Sequence, residues 1–136
     1  MKNTKITTGI ETYTFTDEND HVFASFRLNP TDINLAKRAL EAGEYFDTLQ
    51  DRKIESVDEL VALNAEIEEK ISYVLGYDAS DIFGEVTATT VFSDGTVFAI
   101  LLIDSIIEAM QPAIEERKKQ MADRANKYLE KYEQQV

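Results

Sequence analysis

Thr96-Val97-Phe98-Ala99-Ile100-Leu101-Leu102-Ile103-Asp104-Ser105-Ile106-Ile107-Glu108-Ala109-Met110 is apolar at nearly every position except Asp104, Ser105 and Glu108. A helix apolar on most of its sides has to be surrounded. The chain has 136 residues, so little else is available to surround it. The residues between Val97 and Ile107 are therefore expected to exceed what one subunit hides, leaving a second surface to cover them. Burial inside a single chain is the competing expectation. The run is too short to span a bilayer, which takes about 20 apolar residues.

Downstream, Pro112 lacks the N–H that an α-helix needs, and predicts a kink or a restart. Beyond it Ile114, Met121, Ala125, Tyr128, Leu129 and Tyr132 form a narrow apolar stripe on an otherwise charged helix. Such a stripe suits helix-to-helix contact better than a deep core. Phe98, Leu101, Leu102, Ile106, Met121, Tyr128 and Tyr132 are the candidate protein-interface residues.

Upstream, Ile10 to Thr16 alternates apolar and β-branched residues, as a half-buried strand does. Asp17-Glu18-Asn19-Asp20 is a turn cluster, and His21 to Leu28 reads as a second strand. Val22, Ala24, Phe26 and Leu28 share one face of it, and Phe23 takes the other. Together these strands predict an antiparallel hairpin over 10–28, after a flexible 1–9. A lone hairpin is marginal in water, so it has to pack on something.

Asn29-Pro30-Thr31-Asp32 predicts a helix start, with Asn29 as cap and Pro30 at the first helical position. That helix should run to about Leu49. It carries two apolar lines, Ile33-Ala36-Leu40 and Leu35-Ala39-Ala42-Phe46-Leu49, and a weak point at Gly43. Ser56 and Glu59 form a capping box for a second helix that ends at Gly76. Its expected buried line is Val57, Leu60, Val61, Asn64, Ile67, Ile71 and Val74. Residues 77–95 hold a helical turn near Asp78–Gly84, a strand or extended loop, and the turn Ser93-Asp94-Gly95. The expected fold is α+β: an N-terminal antiparallel hairpin packed on a mainly helical body, with a long C-terminal helix over 96–134 kinked near Pro112, all in one domain.

Charge narrows the function classes. The formal net charge is −12. Residues 31–110 hold 17 acids against 5 bases, while residues 111–136 hold 6 bases against 5 acids. An acidic body disfavours direct nucleic-acid binding, which needs a basic footprint, and disfavours anionic membrane for the same reason. There is no cysteine, so thiolate metal sites and disulfides are excluded. The single histidine, His21, has no second histidine or cysteine to join it, and reads as an exposed turn residue. Asp78, Asp81 and Glu85 do not follow the alternating spacing of an EF-hand loop. The five glycines never cluster into a phosphate-cradling loop. No serine or threonine has an obvious histidine activator. No catalytic constellation, cofactor or metal is expected.

Two strings carry a family resemblance. One is Tyr13-x-Phe15-x-Asp17-Glu18 followed by Phe23-Ala24-Ser25-Phe26-Arg27-Leu28-Asn29-Pro30-Thr31-Asp32-Ile33. The other is Tyr77-Asp78-Ala79-Ser80-x-x-Phe83-Gly84, then Asp94-Gly95-x-x-Phe98-Ala99 and a charged C-terminal helix. Over about residues 10–132 the chain resembles a family of small proteins of tailed phages and prophages of Gram-positive bacteria, associated with tail assembly chaperones. Val86 to Val91 departs from the family pattern in lacking a proline before the Asp-Gly turn. The resemblance implies a non-enzymatic chaperone or scaffold that binds the tape measure protein and tail tube subunits, forms a homo-oligomer, and works in the host bacterial cytoplasm. The N-terminus shows no apolar signal-peptide core, which agrees with that location. The competing expectation is an acidic anti-defence inhibitor whose carboxylates mimic a nucleic-acid backbone.

Overall fold

A computed structural model describes residues 2–49 and 51–133, with side chains described as far as residue 131. The element order is β1 (Glu11–Thr16), β2 (Val22–Leu28), α1 (Ile33–Leu49), α2 (Val57–Leu75), a 3-10 turn (Ser80–Phe83) and α3 (Phe98–Glu133). The expected α+β architecture, an antiparallel hairpin with a helical body and a long last helix, is the one observed.

The hairpin pairs Tyr13 with Phe26 and Phe15 with Ala24, and the register shifts between Phe15 and Thr16. Alternation puts Ala24, Phe26 and Leu28 into the core. Asp20 adopts φ 62° in the turn, a conformation Asp tolerates better than most residues. The outer edge of β2 is covered at Arg27. The Tyr77 hydroxyl accepts from the Arg27 N–H (2.9 Å) and donates to the Arg27 carbonyl (3.1 Å), while the Arg27 guanidinium lies over the Tyr77 ring. An edge covered in this way is a poor template for strand addition.

α1 starts one turn later than expected. Asn29 organises the preceding turn by accepting from the Thr31 N–H, and Asp32 accepts from the Asn34 N–H as the helix begins. Gly43 does not break the helix; of the two apolar lines Leu35, Ala39, Ala42 and Phe46 are buried, Ala36 and Leu49 pack half-buried against the core, and Ile33 and Leu40 are exposed. A Cβ built on Gly43 would have nothing within 4 Å, and its φ is ordinary. Gly43→Ala is therefore expected to stabilise the fold by about 0.4–1 kcal/mol, read from chemical denaturation midpoints.

α2 begins and ends as its sequence indicates. Ser56 Oγ accepts from the Glu59 N–H (3.2 Å), and Gly76 takes a left-handed φ of 80° with its N–H on the Ser72 carbonyl. The Glu59 carboxylate reaches back to the Glu55 N–H rather than to that of Ser56. The expected buried line is half corrected. Ile67, Ile71 and Val74 are buried, but Val57, Leu60 and Val61 are exposed. Asn64 is half-buried because its Oδ1 accepts from both the N–H and the hydroxyl of Thr89.

Residues 84–97 form a loop rather than a strand, with one isolated bridge between Val91 and Val97. The loop caps α3 with backbone. The Phe98 N–H donates to the Thr90 carbonyl and the Ala99 N–H to the Ala88 carbonyl, both at 2.9 Å. These N–H groups are among those a helix start leaves without partners. Pro112 lies inside α3 and does not end it.

Candidate protein-binding surface

α3 does two jobs along its length. Phe98, Ala99, Leu102, Ile103, Ile106 and Met110 are buried in the single chain, and Phe98 is 0% exposed. Four aromatic rings surround Phe98: Phe15, Phe23, Phe83 and Phe92, at centroid distances of 5.6, 5.7, 5.7 and 5.8 Å. They come from β1, β2, the 3-10 turn and the loop before α3. The expectation that Val97 to Ile107 needs a second surface is corrected for the buried members of that run, whereas Val97 and Ile100 are half-buried and line an apolar cleft. Phe98, Leu102 and Ile106 are enclosed by their own chain and cannot be interface residues in this fold. Leu101 and Ile107 are half-buried and pack on the same core.

From residue 115 to residue 131 every position of α3 is exposed. At 1.5 Å per residue this stretch is about 25 Å long, and its outer part, residues 117–131, is the arm. Its base is held by the Arg117 guanidinium, which donates to the Thr31 carbonyl (3.0 Å). Farther out, Met121, Tyr128 and Leu129 are 67%, 72% and 57% exposed. Tyr132 lies on the same helix, but its side chain is outside the described residues. Isolated helices of this length are marginal in water, so the arm's helicity is borrowed from the core half that nucleates it.

A second apolar feature is a cleft of about 190 Å³ lined by Phe46 and Leu49 of α1, Leu60, Leu63 and Ile67 of α2, and Val97 and Ile100 at the start of α3. Exposed Val57 and Val61 on the first turns of α2 add further apolar surface to that helix. An apolar notch of similar volume sits where Pro30, Ile33 and Ala36 meet Ala113, Ile114 and Met121, flanked by Arg117 and Lys118. Large exposed apolar groups gathered in a groove mark interaction sites more often than scattered ones do.

Charge separates cleft from arm. Residues 41–69, which carry most of the cleft, hold ten carboxylates against Arg52 and Lys53, a net −8. Residues 117–131 hold six bases against Asp123 and Glu130, a net +4. Glu66 accepts from Tyr45 and pairs with Arg52 (3.2 Å), and the Lys70 ammonium sits over the Tyr45 ring. This cluster ties α1 to α2. The Arg52 bond, then the Tyr45 bond, holds the Glu66 carboxyl below its usual range. Burial first, and Glu66 second, pushes the Tyr45 phenol up to about 12.

His21 is exposed in the hairpin turn, as expected, but it has a partner that the sequence did not suggest. Its Nε2 lies 2.8 Å from Glu85 Oε1. The hydrogen bond to Glu85 raises the imidazole pKa above its ordinary value. A raised folded value means the tie is fully present below an unfolded pKa of about 6.5 and is lost as pH rises through the folded value. An NMR titration of the His21 ring should give a midpoint above that of a model peptide, and Glu85→Gln should bring it back.

Among the described residues, no three His, Cys, Asp or Glu side chains gather as a metal site would require, and no helix is long and apolar enough to cross a membrane. No family model, curated protein or solved structure matches this chain. Val57, Leu60 and Val61 were missed as surface candidates because helical periodicity assigns them to the core. The available signal was excess: α1 and α2 each carry more apolar residues than one core face can take.

Proposed function

We propose that this protein is a non-enzymatic assembly chaperone that holds helical segments of other proteins, with the tape measure protein and tail tube subunits of a tailed phage as its partners. The observation that carries the reading is the apolar cleft between α1, α2 and α3, lined by Phe46, Leu49, Leu60, Leu63 and Ile67. An amphipathic helix binds such a groove by its apolar face. The resemblance at Phe23–Ile33 and Tyr77–Gly84 supports the choice of partner.

Co-expression of the chain with a tape measure protein, followed by affinity capture, tests it. Capture of the wild type and loss of capture by Leu60→Asp is the expected result. Equal capture by both contradicts the reading. The acidic concentration over 41–69 favours the inhibitor alternative, which instead expects salt-sensitive binding to a nucleic-acid-handling enzyme, unaffected by Leu60→Asp.

A further inference from the structure

We infer that two copies of this chain exchange their C-terminal arms, each arm (117–131) docking by its Met121–Tyr128–Leu129 stripe into the other's α1–α2–α3 cleft. This rests on reading the cleft as a helix-binding site, and it names what occupies the cleft when no other protein is present.

The arm cannot fill its own cleft. Ile100 lines the cleft, and Met121 lies 21 residues farther along the same continuous helix. At 1.5 Å per residue that is about 30 Å, so contact has to be made in trans. Charge selects the partner surface. Two arms at +4 each repel, which disfavours a simple arm-to-arm coiled coil. An arm at +4 beside a cleft region at −8 attracts. The notch at Ile33 and Met121 is a poorer acceptor, because Arg117 and Lys118 line it.

The stripe also has the right form. Met121, Ala125, Tyr128 and Leu129 fall at i, i+4, i+7 and i+8, on one side of the helix, with Arg124, Lys127 and Lys131 among them. Tyr128 and Leu129 are large and mostly exposed. The cleft offers Leu60, Leu63 and Ile100 to them. Specific interfaces bury roughly 1,200–2,000 Å² in total, more than one short helix face supplies. A two-fold pair makes the contact twice, and an isologous arrangement closes without leaving a free site. The dimer thus keeps the cleft's apolar surface from water until a helical client displaces the arm.

Sedimentation equilibrium with two double variants tests this. Tyr128→Asp with Leu129→Asp disables the arm, and Leu60→Asp in the cleft, with Val61→Asp on the adjoining residue of α2, disables the cleft. All four positions are exposed, so the fold should survive, and circular dichroism checks that it has. The wild type should sediment at twice the 15.4 kDa chain mass, and more weakly as salt rises. Each variant alone should be monomeric. A 1:1 mixture of the two should regain a heterodimer, because one intact arm still meets one intact cleft.

A monomeric wild type, a cleft variant that still dimerises, or a mixture that stays monomeric would each overturn the exchange. The arm variant, with its cleft unoccupied, should capture a tape measure segment at least as well as wild type. If the mixture dimerises but no segment is captured, the dimer stands and the chaperone reading falls. If a segment is captured but no dimer forms, the exchange falls and the chaperone reading stands.

Discussion

Phe98→Ala is expected to lower the stability of the isolated chain by about 3–5 kcal/mol, the usual cost of truncating a buried phenylalanine. Phe98 is fully buried, and Phe15, Phe23, Phe83 and Phe92 all meet its ring. Each aromatic pair contributes about 0.5–1.5 kcal/mol beyond area burial, and the four partners lie on four segments. The substitution therefore loosens the hairpin, the 3-10 turn and the loop together. Domains have only about 5–15 kcal/mol of total stability, so the melting temperature should fall on the order of 10–20 °C. Calorimetry on dilute protein measures this. An interface role for Phe98 makes the opposite prediction: unchanged melting of the dilute chain and lost association.

Ending the chain at Lys119 should do the reverse. The removed stretch contains Met121, Tyr128 and Leu129 but no described core residue. Surface changes of this kind move stability by within about 0.5 kcal/mol, so the melting temperature of the dilute chain should barely change. Self-association should weaken by 100-fold or more, since loss of two large anchor side chains removes at least about 3 kcal/mol of binding. Calorimetry and sedimentation on one sample separate the two effects. A melting loss as large as that of Phe98→Ala would mean that the arm packs on its own body.

Local chemistry made the secondary structure legible. The hairpin was readable because Tyr13, Phe15, Ala24, Phe26 and Leu28 alternate. The bounds of α2 were readable because Ser56 and Gly76 are chemically suited to its two ends. What encloses α3 was not readable. The rings around Phe98 are up to 83 residues away in the chain, and no periodicity links Phe15 to Phe98. Counting apolar residues overestimated the uncovered surface at Val97–Ile107 because it could not see a backbone-capped loop and a hairpin closing over it.

The same limit hid the cleft. Val57, Leu60 and Val61 have the spacing of a buried face, and only the placement of α1 shows that their turns extend past their cover. Met121 and Tyr128, by contrast, sit on a narrow stripe in a charged helix, and sequence and structure agree that they are exposed.

Residue-resolved hydrogen exchange along α3, at low and high protein concentration, tests the division of that helix directly. Amides of residues 98–110 should be strongly protected at both concentrations, since they belong to the core. Those of residues 117–131 should exchange quickly in dilute solution and become protected as concentration rises. Uniform protection along the helix at both concentrations, or an arm that never gains protection, would contradict the account.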